Sequence, residues 1–555
     1  MKKMSQGMVR KVSLVLILFL AIVPATLARA GQSEEQILRI GFDVSDIKTL
    51  DPHFATGSQD REIVEIVFNG LLRYQPGNLS DSTLEPDLAT KMPTSRILPD
   101  GRQQWTFELK KGVMGHAYEG NSGYELTSED VVYSFQKAAD PKRSAFSTEY
   151  TGMTFESPDR YSVRITLQKP LSPHLFLPKV ANRAGGLIVC KKPLMEKGDE
   201  WFKTHPVGTG PFVFRAYKPM EKVVLGRHPK YFRGTPKLAG VELFLLPDVN
   251  SREMALQKGE VDVIKGPREQ AWGEKIGKSR GIVVDSFESS ETMVAHFNMS
   301  IEPLKSLKVR QAIAYALNRN EFLTMYGEKL SKPIYSPVPA EYMRGGLTRE
   351  ECAQKNLLYE FNPAKAKELL AQAGYPKGFS LDVITSELPV IKLAYEVMQA
   401  QLKKVGIDLK LTVVDHSTFH TQIRQNLDPI VVYVCERPNP DVILTQFFHS
   451  DSTVVKGKKP VTNFSHLGSV DADGDGTVDS IDDLIQAARV EVDPAKQVNL
   501  WKEAQTKILR NMVSYPILDI GYLFARKPSL DWGFKLVSIA DGPKPTEKTQ
   551  ILKER

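Results

Sequence analysis

Cysteine is scarce in this sequence: its 555 residues include three, Cys190, Cys352 and Cys435, which lie far apart in the chain. So few cysteines exclude a dense disulfide framework. They allow one disulfide at most, whose pair the sequence does not choose, and they leave at least one thiol unpaired. We therefore expect all three to behave mainly as small buried hydrophobic side chains.

Long hydrophobic runs are also scarce. The one near the N-terminus, Val12 to Val23, follows a cluster of basic residues and precedes a small-residue site that ends at Ala30. This order predicts a secretory signal peptide over residues 1–30, cleaved after Ala30. The alternative, an uncleaved membrane anchor, needs about 20 apolar residues. No later segment approaches that length, so we expect a soluble mature protein in the periplasm or outside the cell.

A large excess of one charge is missing once that segment is set aside. The whole chain has 73 basic and 66 acidic residues, a formal net charge of +7. Residues 1–30 hold five of the basic residues and no acidic one, which leaves 68 basic and 66 acidic residues, or +2. The basic character therefore gives no support to a nucleic-acid partner.

Signature motifs of catalysis are absent from the sequence. It has no G-x-S-x-G, no H-E-x-x-H and no phosphate-binding loop, and Gly208 and Gly210 are followed by Pro-Phe-Val rather than by the rest of a dinucleotide-binding motif. We therefore expect a protein that is not an enzyme. An exported hydrolase is the alternative, for which the sequence names no catalytic residue.

The most informative stretch runs from Val207 to Ile264 and alternates apolar runs with turn signals. It predicts, in order, strand 207–215, strand 223–227, strand 241–246, helix 250–258 and strand 261–264. Gly259 follows the helix as its C-terminal cap. Gly208 and Gly210 indicate a sharp turn or the close approach of another segment, because glycine has no Cβ.

Residues 361–414 predict a second ordered unit. Asn362, Pro363 and Gly374 mark the start and the end of a helix. A strand (381–385), a helix (391–405) and a strand (407–414) follow, and this β-α-β order predicts an α/β protein with a mostly parallel or mixed sheet. The polar tail after Gly542 is expected to be loosely held.

Several sequence blocks resemble those of the family 5 extracellular solute-binding proteins, the peptide- and nickel-type receptors of ABC importers. The central blocks are VGTGPF, HPKYFRG and LQKGEVDVI, and LDPH, VFNGLLRY, TSEDV and KVRQAIAYALNR flank them. The resemblance implies an α/β, two-lobe periplasmic-binding-protein type II fold with an extra inserted subdomain and a hinge between the lobes. Its implied divisions are lobe I at 37–82, 207–293 and 520–555, the insertion at 83–206 and lobe II at 294–519.

The same resemblance implies a function. We expect an exported, monomeric receptor that binds a peptide or similar small solute in the cleft between the lobes and delivers it to an ABC permease in the membrane. A receptor of the same fold for nickel, haem or an oligosaccharide is the alternative.

The segment most suited to contact a ligand is 430–452. Its first residues predict a buried strand, and ligands of open α/β sheets lie beyond the carboxyl ends of strands. The family resemblance implies an acidic anchor for a ligand ammonium group, and counting back from Asp441 assigns this role to Glu436. Arg437 could instead hold a carboxylate, and Tyr433 and Asp441 complete the candidate set. The alternative is a surface Glu–Arg pair of little energetic value.

Residues 471–482 read DADGDGTVDSID, with the spacing of an EF-hand calcium loop. The predicted oxygen donors are Asp471, Asp473, Asp475, Thr477, Asp479 and Asp482. The last position is Asp rather than Glu, as in dockerin-type loops, which the segment also resembles. We expect a structural Ca²⁺ that fixes the loop to lobe II. The alternatives are an acidic turn before a helix and a Ca²⁺-dependent docking surface for a partner, although a dockerin normally has two such loops.

His416 and His420 are four residues apart, a spacing that can hold a metal ion on a helix. No third ligand is evident, so the pattern favours a polar surface face.

Overall fold

A computed structural model describes residues 36–287, 291–437, 439–457 and 461–553. The predicted signal peptide, residues 1–30, lies outside these ranges. No helix within them has both the length and the apolar character that crossing a membrane requires.

The described chain alternates short strands with helices. The strands are Ile37–Phe42 (β1), Leu72–Tyr74 (β2), Leu84–Pro86 (β3), Thr94–Ile97 (β4), Gln103–Glu108 (β5), Met153–Asp159 (β6), Ser162–Leu167 (β7), Phe212–Lys218 (β8), Lys222–Arg227 (β9), Gly240–Leu245 (β10), Val263–Lys265 (β11), Val283–Phe287 (β12), Thr292–Phe297 (β13), Ser331–Pro333 (β14), Phe379–Ser386 (β15), Ile407–Val414 (β16), Ile430–Cys435 (β17), Ser514–Ile520 (β18), Tyr522–Arg526 (β19), Leu530–Asp531 (β20) and Gln550–Ile551 (β21). The helices are Ser58–Val67 (α1), Ser128–Ala139 (α2), Pro173–Phe176 (α3), Lys191–Lys197 (α4), Asp199–Phe202 (α5), Val249–Lys258 (α6), Gln270–Ile276 (α7), Leu307–Ala316 (α8), Arg319–Tyr326 (α9), Arg349–Gln354 (α10), Pro363–Gln372 (α11), Pro389–Lys403 (α12), His416–Gln422 (α13), Pro440–Phe448 (α14), Asp482–Val490 (α15) and Pro494–Arg510 (α16).

The predicted hairpin, strand, helix and strand of 207–264 are all present, as β8, β9, β10, α6 and β11. Helix α6 ends at Gly259, whose φ of +77° is left-handed and suits glycine. A Cβ on Gly208 would lie 2.3 Å from the Val67 carbonyl oxygen, and one on Gly210 would lie 2.5 Å from that of Ile66. The two glycines therefore allow the chain to pass directly against the end of α1.

Strand β1 is the centre of a seven-stranded mixed sheet in the order β12-β19-β11-β1-β10-β9-β8. It pairs in parallel with both β10 and β11, and the other pairs are antiparallel. Successive residues of a strand point to opposite faces. In β11, Val263 packs into one hydrophobic cluster and Ile264 into another. The two faces of this sheet therefore pack against two different hydrophobic cores.

A four-stranded antiparallel sheet, β14-β18-β13-β17, belongs to one of these cores. The predicted β-α-β unit is β15, α12 and β16, and its two strands form a separate parallel pair. A further antiparallel sheet, β4-β5-β7-β6, lies within the predicted insertion. The mixed α/β architecture agrees with the predicted fold class, and the predicted lobe boundaries stay a prediction.

The described part of the C-terminal tail, up to residue 553, is held, contrary to the expectation of a loose one. Strand β21 pairs with β20, and the Gln36 side chain donates to the Ile551 carbonyl oxygen at 2.5 Å. Lys544 donates to the Ala540 carbonyl oxygen at 2.8 Å. Lys544 is one of the polar residues that suggested disorder, whereas Ile551 is held through its backbone carbonyl oxygen. Of the cysteines, Cys190 and Cys352 are buried as expected, whereas Cys435 is half-buried, and all three are free thiols.

Asp51 and Lys137 form an ion pair with no solvent exposure, and their oxygen and nitrogen atoms are 2.7 Å apart. Removing one partner would leave the other charge buried and unpaired. We predict that Lys137→Met lowers the free energy of unfolding by about 3–5 kcal/mol, measured by urea denaturation. The double variant Asp51→Asn with Lys137→Met should lose less than the single variant. A double variant that loses the sum of both single effects would contradict this reading.

Candidate ligand-binding site

A cavity of about 840 Å³ lies where the residues after β17 face the segment 146–183. Its wall is rich in cations. The charged lining residues are Arg61, Lys169, Lys179, Arg183, Arg437 and Arg489 against Glu149, Glu436 and Asp441. A volume of this size suits a small organic ligand, and the excess of cations favours one that carries negative charge.

Glu436 and Arg437 reach this cavity because a strand and a helix meet there. Strand β17 ends at Cys435. Helix α14 begins after Asn439, whose side chain accepts a hydrogen bond from the Val442 N–H at 3.0 Å. The short connection between them carries both candidate residues, beyond the carboxyl end of a strand as predicted.

Glu436 is already paired with a cation from a distant segment. Its Oε1 lies 3.4 Å from Nη1 of Arg183. Arg183 Nε lies 3.9 Å from Oε1 of Glu65, and Glu65 Oε2 lies 3.0 Å from Nζ of Lys544. Burial alone would lower the pKa of Arg183, but the carboxylates of Glu436 and Glu65 outweigh it and raise that pKa above its ordinary value. Arg183 is therefore a fixed positive charge.

Arg437 has a different environment. Its Nε donates to Oε1 of Gln446 at 2.5 Å, and its Nη1 donates to the Glu436 carbonyl oxygen at 2.8 Å. The guanidinium carbon lies 5.4 Å from the centre of the Phe447 ring. Among the residues the structure describes, no carboxylate lies within ion-pair distance of Arg437. Arg437 lines the large cavity, and its charge is not balanced by a carboxylate of any described residue.

Asp441 and Tyr433 have other partners. Asp441 Oδ1 accepts from Nε of Arg489 at 2.8 Å, so its charge is neutralised within the wall. Tyr433 does not line the large cavity. It borders a separate space of about 10 Å³ beside His296, and its hydroxyl accepts from Arg424 at 3.4 Å. The strand alternation that buries Val432 directs Tyr433 to the opposite face.

Several cavity residues were missed by the sequence analysis. Arg61 binds Asp541 through two hydrogen bonds of 3.0 and 2.9 Å. Burial would raise the pKa of Asp541, but Lys544 and Arg61 outweigh it and lower that pKa to about 2. These residues come from α1 and from the C-terminal tail. The only family-like sequence block near them was VFNGLLRY, and it gives no indication of an ion pair with the C-terminal segment.

The acidic loop brings three of its six predicted donors together. One carboxylate oxygen each of Asp471, Asp473 and Asp479 lies within 4.8 Å of the others. Asp471 also accepts from the Gly474 and Gly476 N–H groups at 2.7 and 2.8 Å, as in the tight glycine turn of a calcium loop. This oxygen-rich donor set fits a hard divalent cation.

The other predicted donors lie differently. Asp475 Oδ1 accepts from the Thr477 hydroxyl at 2.6 Å. Asp482 is the first residue of α15 and accepts from the Ser450 N–H at 3.1 Å. The structure therefore does not bring Asp482 to the three-carboxylate group, because this side chain serves the contact with Ser450.

His416 and His420 contact each other through their Nε2 atoms, 3.1 Å apart. His416 Nδ1 lies 3.0 Å from the Ser386 hydroxyl, and Arg424 donates to His420 Nδ1 at 3.3 Å. A metal ion on His420 Nε2 would require a proton on Nδ1, against the Arg424 donor. The arrangement favours a hydrogen-bonded pair on a polar face.

Comparison with known proteins identifies the class. The model of the bacterial extracellular solute-binding proteins, family 5 Middle, matches residues 83–453. Heme-binding protein A of Haemophilus influenzae is 28% identical over 371 residues, which cover 61% of this chain and 63% of that protein. The dipeptide-binding protein of Escherichia coli is 26% identical over 471 residues, or 79% and 81% of the two chains. Among solved structures, MoaA of A. tumefaciens R10 in complex with mannopinic acid is 36% identical, covers 94% of this chain and 100% of its own, and has a TM-score of 0.73.

The fold and the cavity therefore define a solute-binding protein. The chain belongs to the family 5 bacterial extracellular solute-binding proteins. Proteins of this family bind peptides or small solutes and deliver them to ABC permeases, and they are transport proteins rather than enzymes. The predicted family, fold class and receptor role are confirmed.

The burial of His296, which borders the same small space as Tyr433, makes the free energy of unfolding depend on pH. His296 is buried, with ring centres of Phe447, Phe448 and Phe464 5.2, 5.7 and 5.7 Å away. Burial lowers its pKa from 6.5 to about 3. Between these pH values the unfolded chain binds a proton that the folded chain does not, so the free energy of unfolding falls as pH decreases.

We predict that His296→Phe reduces the fall in the free energy of unfolding between pH 6.5 and 4, measured by urea denaturation. Part of the fall should remain, because burial also lowers the pKa values of His53 and His116 to about 3. The matched control is His205→Gln at an exposed histidine, which should leave the fall unchanged. Equal pH dependence in His296→Phe and the wild type would contradict the prediction.

Proposed function

We propose that this protein captures a small organic solute bearing a carboxylate, outside the cytoplasmic membrane, and delivers it to an ABC permease. The mature receptor is periplasmic or extracellular after removal of residues 1–30. The observation that carries the proposal is Arg437, a cavity guanidinium with no carboxylate partner among the described residues. A guanidinium suits a ligand carboxylate because it can donate two parallel hydrogen bonds.

The charges of the other lining residues support this assignment. Arg61 is matched by Asp541, Arg489 by Asp441 and Arg183 by Glu436, and Lys179 by Glu149. The cavity cations left without a carboxylate among the described residues are Arg437 and Lys169. An anionic group of the ligand would balance them, whereas a cationic group would add to the excess.

The known relatives support an organic ligand. MoaA, the 36% identical relative, holds mannopinic acid, and a curated relative is a dipeptide-binding protein. Both ligand types carry carboxylates. The haem-binding relative keeps haem as an alternative. Transition-metal ions prefer imidazole and thiolate ligands, and the described lining of the large cavity includes neither, which favours an organic solute over nickel.

Capture and release need no covalent step. Affinity would come from enclosing the solute and from pairing its charges and polar groups with the wall. We therefore infer a receptor rather than a hydrolase, and no lining residue is assigned a catalytic role.

The test is isothermal titration of the purified mature chain with mannopinic acid and with the dipeptide Met-Leu. We predict that at least one of them binds and that Arg437→Gln weakens this binding at least about tenfold, since a hydrogen bond to a charged group contributes about 1.5–3 kcal/mol. Arg349→Gln is the matched control, because Arg349 pairs with Glu360 on the surface at 2.8 Å and lies outside the cavity lining.

Two results would contradict the proposal. One is equal affinity of Arg437→Gln and the wild type for the acid that binds. The other is failure of both acids to bind while haem or an oligosaccharide does, which would assign the receptor to another ligand class.

We also propose that the loop 471–482 binds Ca²⁺ in a structural role. Asp471, Asp473 and Asp479 would supply carboxylate oxygens, and such oxygens are what Ca²⁺ prefers. The loop is tied to the core, because the buried Arg310 guanidinium donates to the Ala472 carbonyl oxygen and, at 2.9 Å, to that of Asn511. Ordering the loop would therefore stabilise the folded chain.

We predict that Ca²⁺ raises the melting temperature of the mature chain and that a chelator lowers it. Binding at a hundredfold excess over Kd stabilises by about 2.7 kcal/mol. Asp473→Asn should remove most of the shift, because it deletes a converging carboxylate. Asp483→Asn, at an exposed acidic residue outside the loop, is the control and should keep it. Melting curves insensitive to Ca²⁺ and to chelator would refute the site.

A further inference from the structure

Arg183 holds a central position in the candidate site. It lines the large cavity of about 840 Å³ and two smaller ones of about 100 and 20 Å³ that adjoin the same wall. Tyr74 also lines all three, so the two side chains stand where these spaces meet. Any solute that fills the large cavity therefore lies against the Arg183 guanidinium.

The position of Arg183 is fixed by its surroundings. Its side chain is 19% exposed and lies between Glu65, which is 9% exposed, and Glu436, which is 22% exposed. The preceding residue, Asn182, accepts a hydrogen bond from the Tyr74 N–H at 3.1 Å, and the Arg183 carbonyl oxygen accepts from the Gly186 N–H at 3.0 Å. The backbone at Arg183 is thus tied to strand β2 and to the following turn.

Arg183 occupies the position that a ligand ammonium group would need. The Glu436 carboxylate reaches the cavity from the end of β17, and it forms an ion pair with Nη1 of Arg183 at 3.4 Å. These two residues are 253 positions apart in the sequence. A ligand ammonium at Glu436 would be repelled by a guanidinium that is already in place.

We propose that Arg183 is a specificity-determining residue: it acts as a built-in counter-ion of Glu436 and selects solutes without an ammonium group at that end. This inference rests on the proposed function, in which Arg437 receives the ligand carboxylate. Glu65 and Lys544 keep Arg183 in place from behind, since Glu65 lies 3.9 Å from Arg183 Nε and 3.0 Å from Lys544 Nζ. The cavity thereby excludes a cationic end while it accepts an anionic one.

The experiment uses three probes that share the Met-Leu core and differ at their ends: N-acetyl-Met-Leu lacks the ammonium charge, Met-Leu carries both terminal charges, and Met-Leu amide lacks the carboxylate charge. Each is titrated into the mature wild type, Arg183→Met and the double variant Arg183→Met with Glu436→Gln. Methionine keeps much of the arginine side-chain volume and removes its charge. Arg143→Met, at an arginine paired with Asp199 outside the cavity lining, is the control.

The expected result is a reversal of selectivity. The wild type should bind the acetylated peptide at least tenfold more tightly than Met-Leu. Arg183→Met should bind Met-Leu amide at least tenfold more tightly than the wild type does, because Glu436 is then free, and the double variant should lose that gain. Arg143→Met should behave as the wild type.

Absence of any gain for the amide in Arg183→Met, or a wild type that prefers the free dipeptide to the acetylated one, would overturn the inference. If Arg183→Met does not fold, Arg183→Gln replaces it with the same criteria. Failure of the proposed function is seen separately, as binding of the acetylated peptide that does not depend on Arg437. The affinity of Met-Leu amide for Arg183→Met, compared with its affinity for the wild type, tests the role of Arg183 even if binding of the acetylated peptide does not depend on Arg437.

Discussion

The parallel pairing of β1 with β10 on one side and β11 on the other is the constraint on which the rest depends. It joins the start of the described chain to strands about 200 residues later. Before it reaches these strands, the backbone of 207–210 passes directly against the end of α1. In the seven-stranded sheet that results, each face packs against a separate hydrophobic cluster. The cavity lies among residues supplied by both clusters.

The second organising feature is the distribution of charge around that cavity. Buried or half-buried cations are costly unless an anion lies close, and four of the six cations that line the cavity pair with carboxylates from segments distant in sequence. Such pairs hold the segments in register. A small number of lining cations are left without a carboxylate partner among the described residues. A negatively charged solute can neutralise them, so these positions determine specificity.

Local signals in the sequence were sufficient for elements whose boundaries are set by neighbouring residues. Pro363 and Gly374 delimit α11, and the alternation in 207–264 predicts its strands and helix correctly. The contributions of Arg183 and Lys544 had no such signal, because only tertiary pairing brings these cations to one carboxylate, Glu65. Composition misled at the tail, where Lys544 is ion-paired with Glu65 and residues 550–551 pair as a strand. Tyr433, named as a candidate with Glu436 and Arg437, borders a separate small space rather than the large cavity.

The C-terminal segment also determines when the charge pairs behind the cavity are completed during synthesis. Asp541 and Lys544 complete the charge pairs behind the cavity, and β21 closes onto the beginning of the described chain through Gln36 and Ile551. Because synthesis proceeds from the N-terminus, a growing chain lacks these two groups until residues 541 and 544 have been added. The charge pairs behind the cavity are therefore completed only after all the residues that line the large cavity have been made.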